Sequence, residues 1–180
     1  MVPRCGYYVD DGKVKRVIVK IDWNLGFDKV SKQAYVKDLH EKIIQTIPGK
    51  WPLEVTTAAE PPGKWLSPIY IKFSSGKSME DIWREYTQLY DEYLVYDNFI
   101  WKKPLNWKAF THYYCVYADV RLATIRKFDI FTDVFYNPEK TGGTQALGCA
   151  CLKLMDMQNN LKVRETLKSF CDWCEEYIEV

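Results

Sequence analysis

The chain has no apolar run near the roughly 18–20 residues needed to cross a bilayer, so a membrane span is excluded. Its N-terminal stretch "MVPRCGYYVDDGKVKR" holds no apolar h-region, and no signal peptide is expected. It also lacks a charge of one sign: 25 basic against 24 acidic residues leave a net charge of +1. That excludes the broad basic face of a dedicated nucleic-acid binder. Contact with nucleic acid would have to be local, such as one flipped-out base in a pocket. Histidine is scarce, with two residues, and no H-E-x-x-H or Cys/His nucleophile motif surrounds them. Repeats, low-complexity tracts and linkers are missing, so the 180 residues are expected to form a single domain over 1–180. The six cysteines, without a secretion signal, are expected as free thiols. Together these features place the protein in a cytosol, bacterial or of a phage acting there.

What is present is apolar and aromatic. Hydrophobic residues make up 47% and aromatics 16%, including seven Trp and thirteen Tyr. This supplies a core of large rings or a pocket lined with them. "KVKRVIVKID" sets Val17, Val19 and Ile21 against Arg16, Ile18 and Lys20, the alternation of a half-buried strand. From about Asp28 to Ile47, Tyr35, Leu39, Ile43 and Ile47 recur every four residues, which predicts an amphipathic helix. "LEVTT" and "SPIYIKF" read as short strands around "AAEPPGKW". Ser78, with Asp81 three residues on, reads as the cap of a helix to about Tyr93. Its apolar stripe would be Ile82, Tyr86, Leu89 and Tyr93. A third helix fits Asn106 to about Lys127, "FTDVFYN" is short and extended, and helices from about Gln145 and about Lys162 close the chain. The class is therefore α+β, mainly helical with a few short strands.

Several chemical motifs can be tested directly. "SSGKS" (74–78) is not a nucleotide loop, because the first glycine of that pattern falls on Ile71. Cys149, Cys151, Cys171 and Cys174 could gather around zinc, but C-x-C spacing and helical patterns favour buried thiols, so no metal is expected. No cofactor motif is found. His40 reads as a structural residue. Glu80, at the start of its helix, is either a partner of the helix dipole or a general base facing an oxocarbenium ion. Asp133 lies between aromatics, where a carboxylate needs a partner. Thr141, Gly142, Gly143, Thr144 and Gln145 lead into a helix. They are either a plain loop capped by Thr144 or an anion site built from backbone N–H groups.

These stretches carry a family resemblance. "FTDVFYNPEKTGGTQALGCACLKL" resembles the C-terminal signature of NADAR proteins, in the branch of antitoxins found beside DarT toxins, through Phe131, Thr132, Asp133, Asn137, Pro138, Lys140 and Gln145. "WNLGFDKVSKQAYVKDLHEKI", "LEVTTAAEPPGKWLSPIYIKF", "SMEDIW" and "KKPLNWKAFTHYYCVYAD" are similar to further segments of that branch in the same order. The likeness covers about residues 15–155. It departs at the helix after Glu80, where the branch places Gln and Lys and this chain has Arg84 and Thr87.

The resemblance implies a NADAR-like fold and an N-glycosidase that removes ADP-ribose from guanine bases of nucleic acid, or cleaves a related N-ribosyl compound. Glu80 would face the anomeric carbon, and Asp133 would orient water or ribose hydroxyls. Arg84 and Lys140 would meet phosphate, Trp83 or Trp65 would stack on a base, and Asn137 and the 141–145 loop would line the ligand. The implied partners are ADP-ribosylated guanine in DNA or a related ADP-ribosyl ligand, and a DarT-type toxin. The alternative is a binding module that keeps the pocket without turnover and sequesters modified nucleic acid or a toxin. A structural domain whose polar residues are caps and turns is the third.

Overall fold

The computed structural model describes residues 1–55, 61–89, 93–102, 107–139 and 144–180. The chain opens with a hairpin that its hydrophobic pattern does not announce. Strand β1 (Val2–Asp10) pairs antiparallel with β2 (Lys13–Ile21), in unbroken register from Val2–Ile21 to Asp10–Lys13. The connection is Asp11–Gly12, with φ of 51° and 67°. Two left-handed residues give the tight turn that matches strand twist, and Asp-Gly tolerates it well. Arg4 and Gly6 interrupt the apolar pattern of β1. Gly6 allows close approach of its neighbour, since a Cβ there would lie 2.6 Å from Ile130 Cγ2. β2 follows the expected alternation, with Val17 and Ile21 buried and Ile18 exposed.

Helix α1 (Lys29–Thr46) begins at Asp28, whose carboxylate accepts from the N–H groups of Val30 and Ser31 at 3.0 and 3.1 Å. Its stripe of Tyr35, Leu39 and Ile43 is buried as expected. β3 (Pro52–Glu54) follows. "SPIYIKF" does not form a strand. Its one ladder contact among the described residues is an isolated bridge from Lys72 to Ser78, and it serves instead to place Ile71 in the core. Helix α2 (Met79–Tyr86) carries the full capping box: Asp81 N–H donates to Ser78 Oγ at 3.1 Å, and Ser78 N–H to the Asp81 carboxylate at 2.9 Å.

α2 stops at Tyr86 rather than at Tyr93. The Thr87 hydroxyl donates back to the Trp83 carbonyl at 2.6 Å, and the chain becomes β4 (Gln88–Leu89), β5 (Tyr93–Tyr96) and β6 (Phe99–Lys102), a separate antiparallel sheet. The 82, 86, 89, 93 spacing imitates a helix, but Asp97 and Asn98, both left-handed, form a hairpin turn that draws these residues into pairing. The expected helix ending near Lys127 is divided into α3 (Trp107–Tyr117), a 3-10 turn and α4 (Leu122–Ile125). Asn106 lies outside the described residues.

β7 (Ile130–Thr132) inserts between β3 and β1, parallel to the first and antiparallel to the second. Helix α5 (Gln145–Met157) starts at the Thr144 cap, as expected. A 3-10 turn over Leu161–Glu165 replaces the start expected near Lys162, and α6 (Leu167–Tyr177) follows. β8 (Ile178–Glu179) closes the main sheet beside β2, in the order β3-β7-β1-β2-β8. α1 covers one face of this sheet through Tyr35, Leu39, Ile43, Val17 and Ile130. α5, with α3 and α6 around it, covers the other. The α+β class stands, with more strand than the hydrophobic pattern suggests.

Candidate active site

The parallel strands β3 and β7 end side by side, with Glu54 opposite Thr132. Both residues are buried. A carboxylate in such a place needs donors, and Glu54 has two on one short stretch. Thr132 Oγ1 donates to Glu54 Oε2 at 2.7 Å, and the Val134 N–H donates to Oε1 at 3.1 Å. The Leu53 carbonyl lies farther from Thr132 Oγ1, at 3.4 Å, so the hydroxyl hydrogen goes to the carboxylate and the oxygen accepts from His40 Nε2–H at 2.8 Å. Burial pushes the His40 ring down to about 4, keeping it neutral.

Asp133 sits between these two anchors and is itself buried. Its Oδ1 accepts from the Phe135 N–H at 3.1 Å, and its carbonyl accepts from the Tyr136 N–H at 3.0 Å, closing a turn. Arg4 on β1 donates from Nε to the Val134 carbonyl at 2.5 Å. Burial pulls its guanidinium down, while the nearby Asp133 charge acts against that. The Arg4 head lies 4.3 Å from the centre of the Trp23 ring, which stacks on Tyr35 at 4.1 Å and meets Phe135 edge-on at 5.5 Å. Exposed Phe27 leans on Trp23 and Phe135. A buried carboxylate beside a cation and an aromatic wall, past the ends of two parallel strands, can meet a developing positive charge or accept from hydroxyl donors.

The other expected residues divide into three groups. Glu80 and Arg84 form one unit on α2: Arg84 Nη2 donates to Glu80 Oε1 at 3.0 Å, with the Glu80 side chain about one-third exposed and Arg84 mostly so. Trp83 is packed against Tyr113, Tyr96 and Phe110 at 5.0–5.4 Å, whereas Trp65 is 41% exposed, edge-on to Tyr70, with Lys64 and Arg121 near its ring. On the β7–α5 connection, Asn137 Oδ1 accepts from the Glu139 N–H at 2.9 Å. Thr144 caps α5 and accepts from the Ala146 N–H, and Gln145 opens that helix. Lys140, Thr141, Gly142 and Gly143 lie outside the described residues.

Glu54, His40, Thr132 and Arg4 were not singled out as site residues. One signal was available: a Glu between Leu53 and Val55 in an apolar strand demands a buried partner. A cavity of about 930 Å³ also lies between Ile82 on α2, Tyr96, His112, Tyr113, Tyr117 and Arg164, and none of the expected site residues lines it. Its His112 is engaged on both nitrogens, accepting from Tyr96 O–H and donating to the Arg164 carbonyl. The six cysteines are free. Cys149 meets the Tyr114 hydroxyl at 3.2 Å, and burial lifts its thiol to about 12. Among the described residues, no three His, Cys, Asp or Glu side chains gather as metal ligands, and no helix is long and apolar enough to cross a membrane.

Comparison with known families adds the remaining finding. The model of the DarT1-associated NADAR antitoxin family matches residues 6–105, more than half of the chain. The matched part contains Glu54, Trp65, Glu80 and Arg84; Asp133 and the β7–α5 connection lie beyond it. No curated protein matches the chain. With that match running from Gly6 in β1 through β2, α1, β3 and the α2 carboxylate, the chain belongs to the family of DarT1-associated NADAR antitoxins.

Proposed function

We propose that the protein is an N-glycosidase that removes ADP-ribose from guanine bases of nucleic acid, and that it acts as an antitoxin against a DarT-type ADP-ribosyltransferase. Membership of the DarT1-associated family carries this reading. Support comes from the buried Asp133 beside Arg4 and from the partly exposed Glu80.

In the reaction, the bond from the ribose anomeric carbon to the base nitrogen breaks, and its electron pair stays with the base. Positive charge spreads over the ribose ring as an oxocarbenium ion. Glu80 faces that carbon, and Asp133 orients the attacking water or the ribose hydroxyls. Water adds its oxygen to the carbon, one of its protons stays on the new hydroxyl, and the other goes to the base nitrogen. Arg84, already held by Glu80, meets the diphosphate, with Lys140 and the N–H groups at the start of α5. Trp65 takes the stacking role, because Trp83 is committed to the core.

The Glu80–Arg84 pair also favours a second reading. A carboxylate engaged at 3.0 Å, in a helix with Thr87 where the branch has Lys, fits a module that binds the modified base without releasing it. A guanosine-ADP-ribosylated oligonucleotide separates the two. Release of ADP-ribose that disappears in Glu80→Gln supports the enzyme. Retention of the adduct in a stable complex supports the module, and neither binding nor release refutes both.

A further inference from the structure

Thr132 and Val134 flank Asp133, and both are held by one side chain. Glu54 accepts from the hydroxyl of the first and the N–H of the second, at 2.7 and 3.1 Å. We propose that Glu54 is a positioning residue for Asp133, acting through Thr132 and Val134, with His40 as the donor that sets the Thr132 hydroxyl. The role rests on the glycosidase reading of Asp133.

This tripeptide is held through its backbone and through the Thr132 hydroxyl. The Val55 N–H donates to the Thr132 carbonyl at 2.9 Å, Arg4 Nε donates to the Val134 carbonyl, and His40 donates to the Thr132 hydroxyl at 2.8 Å. Glu54 grips both flanking residues, the hydroxyl of Thr132 and the N–H of Val134. β7 ends at Thr132, so beyond that point these holds replace strand pairing. Asp133 opens the turn that Tyr136 closes, so holding the Thr132 hydroxyl on one side and the Val134 N–H and carbonyl on the other fixes the peptide groups that flank Asp133 and with them the direction of its side chain. The partners come from distant parts of the sequence: α1, β3 and β1 all converge on one carboxylate-bearing turn. A group so held approaches the reacting atom without searching conformations, which is where rate is gained.

The hydrogen-bond directions separate positioning from direct catalysis. In the native chain, protons point from His40 Nε2 to Thr132 and from Thr132 to Glu54. Glutamine at 54 can satisfy the same sites in reverse: its oxygen accepts from the Val134 N–H, its NH2 donates to Thr132 Oγ1, and the Thr132 hydroxyl then donates to His40 Nε2. The cost is a switch of the imidazole proton to Nδ1. Glu54→Gln thus keeps the turn in place, while Glu54→Ala releases it.

The test is steady-state release of ADP-ribose from a guanosine-ADP-ribosylated oligonucleotide by the full chain, with amide exchange at Phe135 as a second readout, because that N–H reports the Asp133 carboxylate. Glu54→Ala should lower kcat about a hundredfold with KM unchanged, and Glu54→Gln should stay within about threefold of wild type. Nitrogen-15 shifts should show His40 protonated at Nε2 in the wild type and at Nδ1 in Glu54→Gln. Phe135 exchange should quicken in Glu54→Ala alone. If Glu54→Ala fails to fold, Glu54→Asp keeps the charge but shortens the reach and should lose about tenfold in kcat.

Equal loss in Gln and Ala would make Glu54 a reacting group and overturn the proposal. So would a full rate in Glu54→Ala when Asp133→Asn is inactive. A wild type that releases no ADP-ribose refutes the glycosidase reading instead. Phe135 exchange then still decides whether Glu54 holds the turn, and equal exchange in all three proteins would overturn that.

Discussion

Thr132→Val removes one hydroxyl and nearly nothing else, and its effect can be worked out from the bonds it breaks. Valine matches threonine in shape, so no cavity forms. What is lost is the donor to Glu54 Oε2 and the acceptor for His40 Nε2–H. The residue is fully buried, so water cannot replace it. Each stranded group costs roughly 1–3 kcal/mol, with the carboxylate at the upper end, for a total of about 4 kcal/mol. That is a large part of the roughly 5–15 kcal/mol holding a domain together. For a chain of this length it corresponds to a fall in melting temperature of about 8–16 °C. Thr132→Ser is the control. It keeps the hydroxyl, loses a methyl group, and should cost about 1 kcal/mol. Urea unfolding followed by tryptophan fluorescence gives both values. If Thr132→Val unfolds within about 1 kcal/mol of the wild type, the chain from His40 to Glu54 is not the buried, committed network described above.

Three other outcomes are expected. The His40 ring is held down to about 4 by burial, against roughly 6.5 in an unfolded chain. Above pH 6.5 both states are neutral there and stability is flat. Between about 6.5 and 4 the unfolded chain binds the extra proton, so stability falls with pH by up to about 3 kcal/mol. Unfolding curves of wild type and His40→Gln over this range should diverge by that amount. Gly148 lies against the ring of fully buried Tyr114, so Gly148→Ala should cost about 1–3 kcal/mol in the same assay. Arg84→Ala removes a largely exposed pair and should leave the melting temperature unchanged, while weakening affinity for ADP-ribosylated guanosine measured by calorimetry.

Local features were the most legible in the sequence. The stripe of α1, the Ser78–Asp81 box of α2 and the Thr144 cap of α5 depend on residues within four positions of one another, and each stands as expected. β1 was not, because Arg4 and Gly6 serve long-range purposes: one reaches the Val134 carbonyl, the other admits Ile130. The second sheet was hidden by chance periodicity, with Leu89 and Tyr93 falling on a helical spacing that the Asp97–Asn98 turn overrides. The site divides in the same way. Asp133 is recognisable as a carboxylate among aromatics. Its support is not, since Glu54 is 78 residues from Thr132 and His40 is 92. The register of β3 against β7 brings Glu54 to Thr132, and the packing of α1 on the sheet brings His40.

The central claim is that this fold releases ADP-ribose from a modified base. Mass spectrometry of a guanosine-ADP-ribosylated oligonucleotide incubated with the full chain tests it most directly. The account predicts free ADP-ribose and a restored guanine with wild type, and an intact adduct with Glu80→Gln or Asp133→Asn. Full release by both variants, or an adduct left intact by the wild type, would contradict it.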